Sequence, residues 1–285
     1  MKNLRQKLLC LVFWVGTCST IFAQQSTESE VTDTTIVENV FRSSRLINQH
    51  TTYILPYRIL DFRISHRFGE FNTGPYNFYG LDGPANIALH FEYSPIKNGM
   101  FGIARSSLYK MYHGFVKYQV LCQRNNGKMP ISLTLFMGAY VNTSKNADFS
   151  LPSHRWSYVN QIMASKKLEN VTVQIGFAHV HYNLVKYMTD KNTSYYTTAG
   201  LRWQFNKYIA LTGEYAYKLQ ANSRIDKLYN NAGIGLEIQT FGHVFQMHVT
   251  NAFGIFENQA LAYTTTQWTN GGIRFGFNVS RYFGI

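Results

Sequence analysis

Near the end of the chain, apolar and polar positions alternate almost without error. Ile273, Phe275, Phe277 and Val279 share one parity, and Arg274, Gly276, Asn278 and Ser280 share the other. A period of two describes an extended strand with one apolar and one polar face. The pattern returns through the chain and predicts twelve strands, at 59–68, 86–94, 99–105, 112–122, 131–141, 156–166, 171–181, 195–205, 208–219, 231–238, 243–251 and 272–283. Most are close to the ten residues that a tilted strand needs to cross a bilayer's hydrocarbon layer. The clearest apolar faces are Leu60/Phe62/Ile64, Ile87/Leu89/Phe91, Ile131/Leu133/Leu135/Met137 and Ile209/Leu211. The strands beginning at Gly99 and Trp156 leave their parity open.

The links between these strands alternate in length. Tight turns are expected at Lys97-Asn98, Asn125-Asn126-Gly127, Leu168-Glu169-Asn170, Asn206-Lys207 and Thr240-Phe241-Gly242. Asn and Gly suit the positive φ angles of hairpin turns. Longer links fall at 69–85, 142–155, 182–194, 220–230 and 252–271, with a shorter one at 106–111. Short periplasmic turns, longer external loops and an even strand count are the habit of outer-membrane barrels. The prediction is an all-β, transmembrane, antiparallel up-and-down barrel of about twelve strands, with both termini periplasmic.

The beginning of the chain agrees with that location. Lys2, Arg5 and Lys7 precede an apolar run from Leu8 to Val15, and Ile21-Phe22-Ala23 ends in a small residue. This reads as a secretory signal peptide over 1–23, cleaved after Ala23 and too short for a lasting membrane helix. Cys18 is taken as part of the signal, with a lipoprotein site as the lesser alternative. Residues 24–50 read as a polar periplasmic leader that is able to fold into the barrel as a plug, and 51–285 as the barrel itself. The mature chain then keeps Cys122 alone, so no internal disulfide is expected.

Charge narrows the partners. The chain has 27 basic and 15 acidic residues; losing three bases with the signal leaves 24 against 15, a net +9. The bases form no stripe or recognition helix, which argues against nucleic acid. Many fall at strand ends (Lys97, Arg124, Lys128, Lys166, Lys167, Lys207, Arg281), where they either snorkel to lipid phosphates or sit solvated in turns. The expected surroundings are outer-membrane lipids and the barrel-insertion machinery, with a periplasmic partner left open. Abundant Tyr and Phe near strand ends fit the aromatic girdles of a membrane barrel.

The polar parity carries Asp61, Arg63, Arg67, Glu92, Lys117, Arg202, Glu214, Lys218, Glu237 and Arg274. So many charges cannot line the dry cavity of a soluble barrel. They are candidate lumen residues, and two arrangements stay open. The charges pair into a network that fills or gates the lumen, or they line a narrow wet pore favouring anions. The 69–85 link, with Tyr76, Phe78 and Tyr79 among its glycines, is the candidate constriction or lid; an outer girdle is the plain alternative. His179 and His181 lie on one strand face without a third ligand in view, so a girdle role is favoured over a metal site. No nucleophile elbow, phosphate loop or zinc spacing is present, and no cofactor is implied. A pore, transport or structural barrel is therefore expected, with a lipid-modifying enzyme as the alternative.

Several stretches resemble a family of bacterial membrane-bound β-barrels known as domain of unknown function 5777. They include His66-Arg67-Phe68-Gly69, residues 76–82 (Tyr-Asn-Phe-Tyr-Gly-Leu-Asp), residues 114–118 (Gly-Phe-Val-Lys-Tyr), residues 211–215 (Leu-Thr-Gly-Glu-Tyr), residues 242–246 (Gly-His-Val-Phe-Gln) and the terminal run 274–281. The resemblance runs from about Phe41 to the end and implies the fold and the outer-membrane location. It implies no catalytic or binding residue. The chain ends Phe283-Gly284-Ile285, which displaces the terminal aromatic common in outer-membrane strands.

Overall fold

Alternating faces allow a sheet to curl until its edges meet, because one side of every strand then turns inward. The computed structural model describes residues 36–37, 40–125, 128–145, 149–220 and 227–285. The predicted signal peptide and its expected cleavage position, the expected leader up to residue 35 and the Asn126-Gly127 part of one turn lie outside the described residues.

Twelve strands follow in order: β1 (Ile59–Arg67), β2 (Asn86–Ile96), β3 (Gly99–Ser106), β4 (Tyr112–Leu121), β5 (Ser132–Val141) and β6 (Trp156–Leu168), then β7 (Val171–Tyr182), β8 (Thr193–Gln204), β9 (Ile209–Gln220), β10 (Asn231–Thr240), β11 (His243–Thr250) and β12 (Arg274–Gly284). Each pairs antiparallel with its neighbours in sequence, and β1 pairs with β12 to close the barrel. Closure removes the free edges that no lipid could satisfy. No helix among the described residues is long and apolar enough to cross a membrane. The tight turns and the C-terminal residue share one end of the barrel, the turn end; the longer links share the other, the loop end.

Parity follows the alternation read from the sequence. Ile64 faces outward beside Val279 and Leu89, and Arg63 faces inward beside Ser280 and His90. The two open strands are now resolved. Phe101, Ile103 and Arg105 of β3 are exposed while Met100 and Ala104 are buried; Trp156, Tyr158 and Ile162 of β6 are exposed while Val159 and Met163 are buried. An apolar belt thus surrounds the barrel.

The interior is divided rather than uniformly polar. Phe115, Phe136, Tyr140, Val159, Met163, Ala178 and Val180 line one wall, on β4 to β7. The charged side chains concentrate opposite, on β9 to β12 and on β1 and β2.

Two segments occupy the lumen from opposite ends. Residues 43–51 form a hairpin, with a bridge between Arg45 and His50 and a tip in which the Leu46 N–H donates to the Gln49 carbonyl at 3.0 Å. Its arms lead back to the turn end, where the Val37 N–H donates to the Gln123 carbonyl at 2.9 Å and β1 begins at Ile59. From the loop end, the 251–273 link turns inward through a short helix α1 (Glu257–Ala262), every residue of which is buried.

The aromatic rings of the 69–85 link lie outside the lumen. Tyr76, Phe78 and Tyr79 are 94%, 59% and 47% exposed. The link packs on itself and on the rim instead. Gly80, at φ +88°, approaches Gly69 so closely that a Cβ would lie 2.6 Å from the Gly69 carbonyl. The Phe71 N–H then donates to the Ile273 carbonyl at 2.8 Å. Its glycines serve backbone-on-backbone packing, which leaves the rings outside. The segment that turns into the mouth is the one carrying α1.

Candidate functional site: the lumen

Strand parity aims the predicted lumen residues inward. Asp61, Arg63, Arg67, Glu92, Lys117, Arg202, Glu214, Glu237 and Arg274 are all buried, and Lys218 is half-buried. They do not form one pore lining. The structure sorts them into separate clusters, most of which hold the hairpin.

The tip is held by Glu214. Its carboxylate accepts the backbone N–H groups of Ile47 (3.1 Å), Asn48 (3.0 Å) and Gln49 (3.0 Å), and Asn48 Nδ2 at 2.8 Å. Successive N–H groups converging at a tight turn make an anion-binding concavity. Here the barrel wall supplies the anion. Arg67 holds the same tip by donating to the Ile47 carbonyl at 3.2 Å and to Asn48 Oδ1 at 3.0 Å.

A second cluster grips the entering arm. Arg63 pairs with Asp61 at 2.8 Å and donates to the Ser43 and Ser44 hydroxyls at 3.1 and 2.9 Å. The Ser44 hydroxyl in turn donates to Glu92 at 2.6 Å. On the returning arm, Lys117 donates to the Tyr53 carbonyl at 2.6 Å, and Gln174 binds both the Thr52 N–H (2.9 Å) and the His50 carbonyl (2.8 Å). Arg202 and Glu237 pair at 2.8 Å, and Gln246 links Glu237 to the Arg45 carbonyl. Arg274 stands apart near the loop end, paired with Glu70 at 2.6 Å.

Four residues that the alternation does not single out complete the network. Glu257, at the start of α1, forms an ion pair with Arg45 and accepts the Tyr140 hydroxyl proton at 2.6 Å. His50 Nε2 stands 3.2 Å from the same carboxylate, and its ring packs on Phe136 and Phe115 with centroids 4.3 and 4.9 Å away. Plug hairpin and loop-end cap therefore meet at Glu257. A signal for the cap exists in the sequence: from Ala252 to Ala262 the link is mostly apolar, unlike a solvated loop, and carries a single carboxylate. The leader's Phe41, Leu46 and Ile47 are the corresponding signal for the hairpin, and all three are buried.

Above α1 a vestibule of about 480 Å³ opens at the loop end, with Tyr109, Arg155, Tyr182, Tyr263 and Arg274 in its walls. It ends on the cap. Tyr182 donates to the Asn258 carbonyl at 2.8 Å and Asn258 donates to the Ser157 hydroxyl at 2.9 Å, which ties α1 to the walls of β6 and β7.

On the outer face His179 and His181 lie with ring centroids 6.4 Å apart. Among the described residues no group of three metal-binding side chains forms. Parity does bring one hydroxyl to an imidazole there, Thr193 at 2.8 Å from His181 Nδ1. The nearby amide of Asn160 meets His179 instead, at 3.3 Å. Among the described residues no carboxylate orients the His181 ring, and a hydroxyl–imidazole pair alone falls short of a nucleophilic triad.

Residues 41–283 match the membrane-bound β-barrel domain family, domain of unknown function 5777, and the chain belongs to that family. Among curated proteins none matches the sequence. Solved structures similar to it include the NanC porin, 8% identical over 79% of this chain and 100% of that one, with a TM-score of 0.49. The KdgM porin is 11% identical over 79% of this chain and 99% of that one, also at 0.49. An outer-membrane channel from Pseudomonas putida F1 is 12% identical over 81% and 98%, again at 0.49. The family and the apolar belt around an even-numbered closed barrel make this an integral outer-membrane protein.

Proposed function

We propose that the chain is a gated outer-membrane passage, held shut by its own N-terminal hairpin, and that it performs no covalent chemistry. The observation that carries this reading is the hairpin's place in the molecule. It fills the lumen, yet the twelve-strand ladder closes without it. Its release breaks no hydrogen bond of the wall's ladders, whereas removing a strand would open the barrel. The hairpin's hold is largely polar, through Glu214, Arg63, Gln174 and Glu257. Water and permeating ions replace polar contacts far more readily than they replace apolar ones.

The deciding measurement is a planar-bilayer recording of the full chain against a form in which 41–52 is replaced by a Gly/Ser linker of equal length. The intact protein is expected to be nearly silent and the variant to show steady unitary currents. Silence of a folded variant would leave a filled structural barrel. Fatty-acid release from lipid micelles by the intact protein would restore the lipid-enzyme alternative.

Both arms of the hairpin open to the turn end, which this reading places in the periplasm, where a partner is able to act on the leader. Outer-membrane lipids surround the belt and the barrel-insertion machinery delivers the chain. In a Cys122→Ser background, a cysteine at the exposed Ser150 is expected to label from outside intact cells, and one at Asn206 to stay unlabelled. The reverse pattern would invert the barrel.

A further inference from the structure

The outer wall carries a cation that the lumen network does not use. Arg105 faces outward in the last turn of pleat on β3, its guanidinium 5.5 Å from the Tyr112 ring centroid. Among the described residues no carboxylate pairs with it. Strand ends of a membrane barrel lie at the level of the lipid headgroups.

Below Arg105 the wall is hollow, and the strand register shows why. The rim row runs Arg105, Tyr112, Val141, Trp156 across β3 to β6. The next outward row is Ile103, Gly114, Ala139, Tyr158, and the one beneath it Phe101, Val116, Met137, Asn160. Gly114 and Ala139 thus sit side by side without bulk, between bulkier neighbours above, below and to either side. A Cβ added to Gly114 would meet nothing within 4 Å. The groove holds about 590 Å³, with Leu89, Phe91 and Ile103 along its other flank.

We infer that this groove is a binding site for one phosphate-bearing membrane lipid. An acyl chain lies over Gly114 and Ala139, and the headgroup phosphate rests on Arg105. The chain is fixed sideways by the surrounding bulk, which a flat lipid-facing wall does not do. The guanidinium offers paired N–H donors that match phosphate oxygens. Tyr112 and Trp156 flank the headgroup level, as amphipathic rings do at a membrane interface. This site is separate from the lumen and does not depend on gating.

The test is native mass spectrometry of the full chain in detergent, titrated with dioleoyl phosphatidylglycerol. One lipid is expected to stay bound to the wild type. Gly114→Leu places its Cβ in open space and its side chain in the hollow, and is expected to lose it. Arg105→Gln is expected to weaken retention about tenfold, the scale of a lost charge-assisted contact. Dioleoylglycerol, with the same chains and no phosphate, is expected to bind no better than the arginine variant does. Equal retention by Gly114→Leu, by Arg105→Gln or of dioleoylglycerol would reduce the groove to ordinary lipid contact and overturn the inference. So would a wild type that retains no lipid. If Gly114→Leu fails to insert, judged by heat-dependent gel migration, Ala139→Leu fills the same hollow and takes its place.

Discussion

Glu257→Ala is expected to loosen the hairpin from its seat by about 3–5 kcal/mol, the cost of leaving one partner of a buried ion pair uncompensated. Arg45 and Glu257 are both 1% exposed, so neither charge finds water once the other is gone. The Tyr140 hydroxyl and His50 lose the same carboxylate. The effect is read from hydrogen exchange at the Leu46 and Thr51 amides, which close the hairpin through Gln49 and Ser44. Their protection should fall by about a hundredfold or more, at 1.4 kcal/mol per factor of ten. The double variant Arg45→Met, Glu257→Met should regain most of it, because no charge is then left buried alone. Undiminished protection in Glu257→Ala would show that the cap does not hold the plug.

Met137→Arg is expected to destabilise the barrel by about 2–4 kcal/mol in lipid vesicles, and Leu133→Arg by only about 0–1 kcal/mol. Both face lipid from β5, whose span is Ser132–Val141. Met137 lies at its middle and is 60% exposed, whereas Leu133 is next to its first residue. A guanidinium near the rim snorkels to the headgroups; one at the middle has to drag water or phosphate inward. Urea-driven unfolding of the inserted protein supplies the comparison. Equal penalties at the two positions would mean that β5 does not cross the bilayer in this register.

The two predictions draw on different kinds of information. That Leu133 and Met137 share the outward face follows from alternation, since residues two apart on a strand point the same way whatever lies beyond it. That one is central and the other marginal depends on where the ladder begins and ends. The Arg45–Glu257 contact joins positions 212 residues apart, and the Glu214 grip on Asn48 spans 166. No local pattern reports contacts of that range.

Inward apolar residues were illegible for a related reason. On β4 and β5, Phe115 and Phe136 face the lumen while Val116 and Leu135 face lipid. Both parities are apolar there, so alternation fades where hairpin and cap create a dry wall. The 69–85 link is the opposite case. Its aromatics suggested burial, but close Gly69–Gly80 packing folds it along the rim.

By itself the sequence determined the number of strands, the faces of all but β3 and β6, the alternation of short and long links and the membrane setting. Each of these rests on period-two patterning and turn chemistry, which act within a few residues. Only the tertiary structure decided which charges meet, and that Glu257 joins a hairpin entering from one end to a short helix entering from the other. Those outcomes arise from closing the barrel, because closure brings distant segments into one low-dielectric interior where every buried charge has to find a partner.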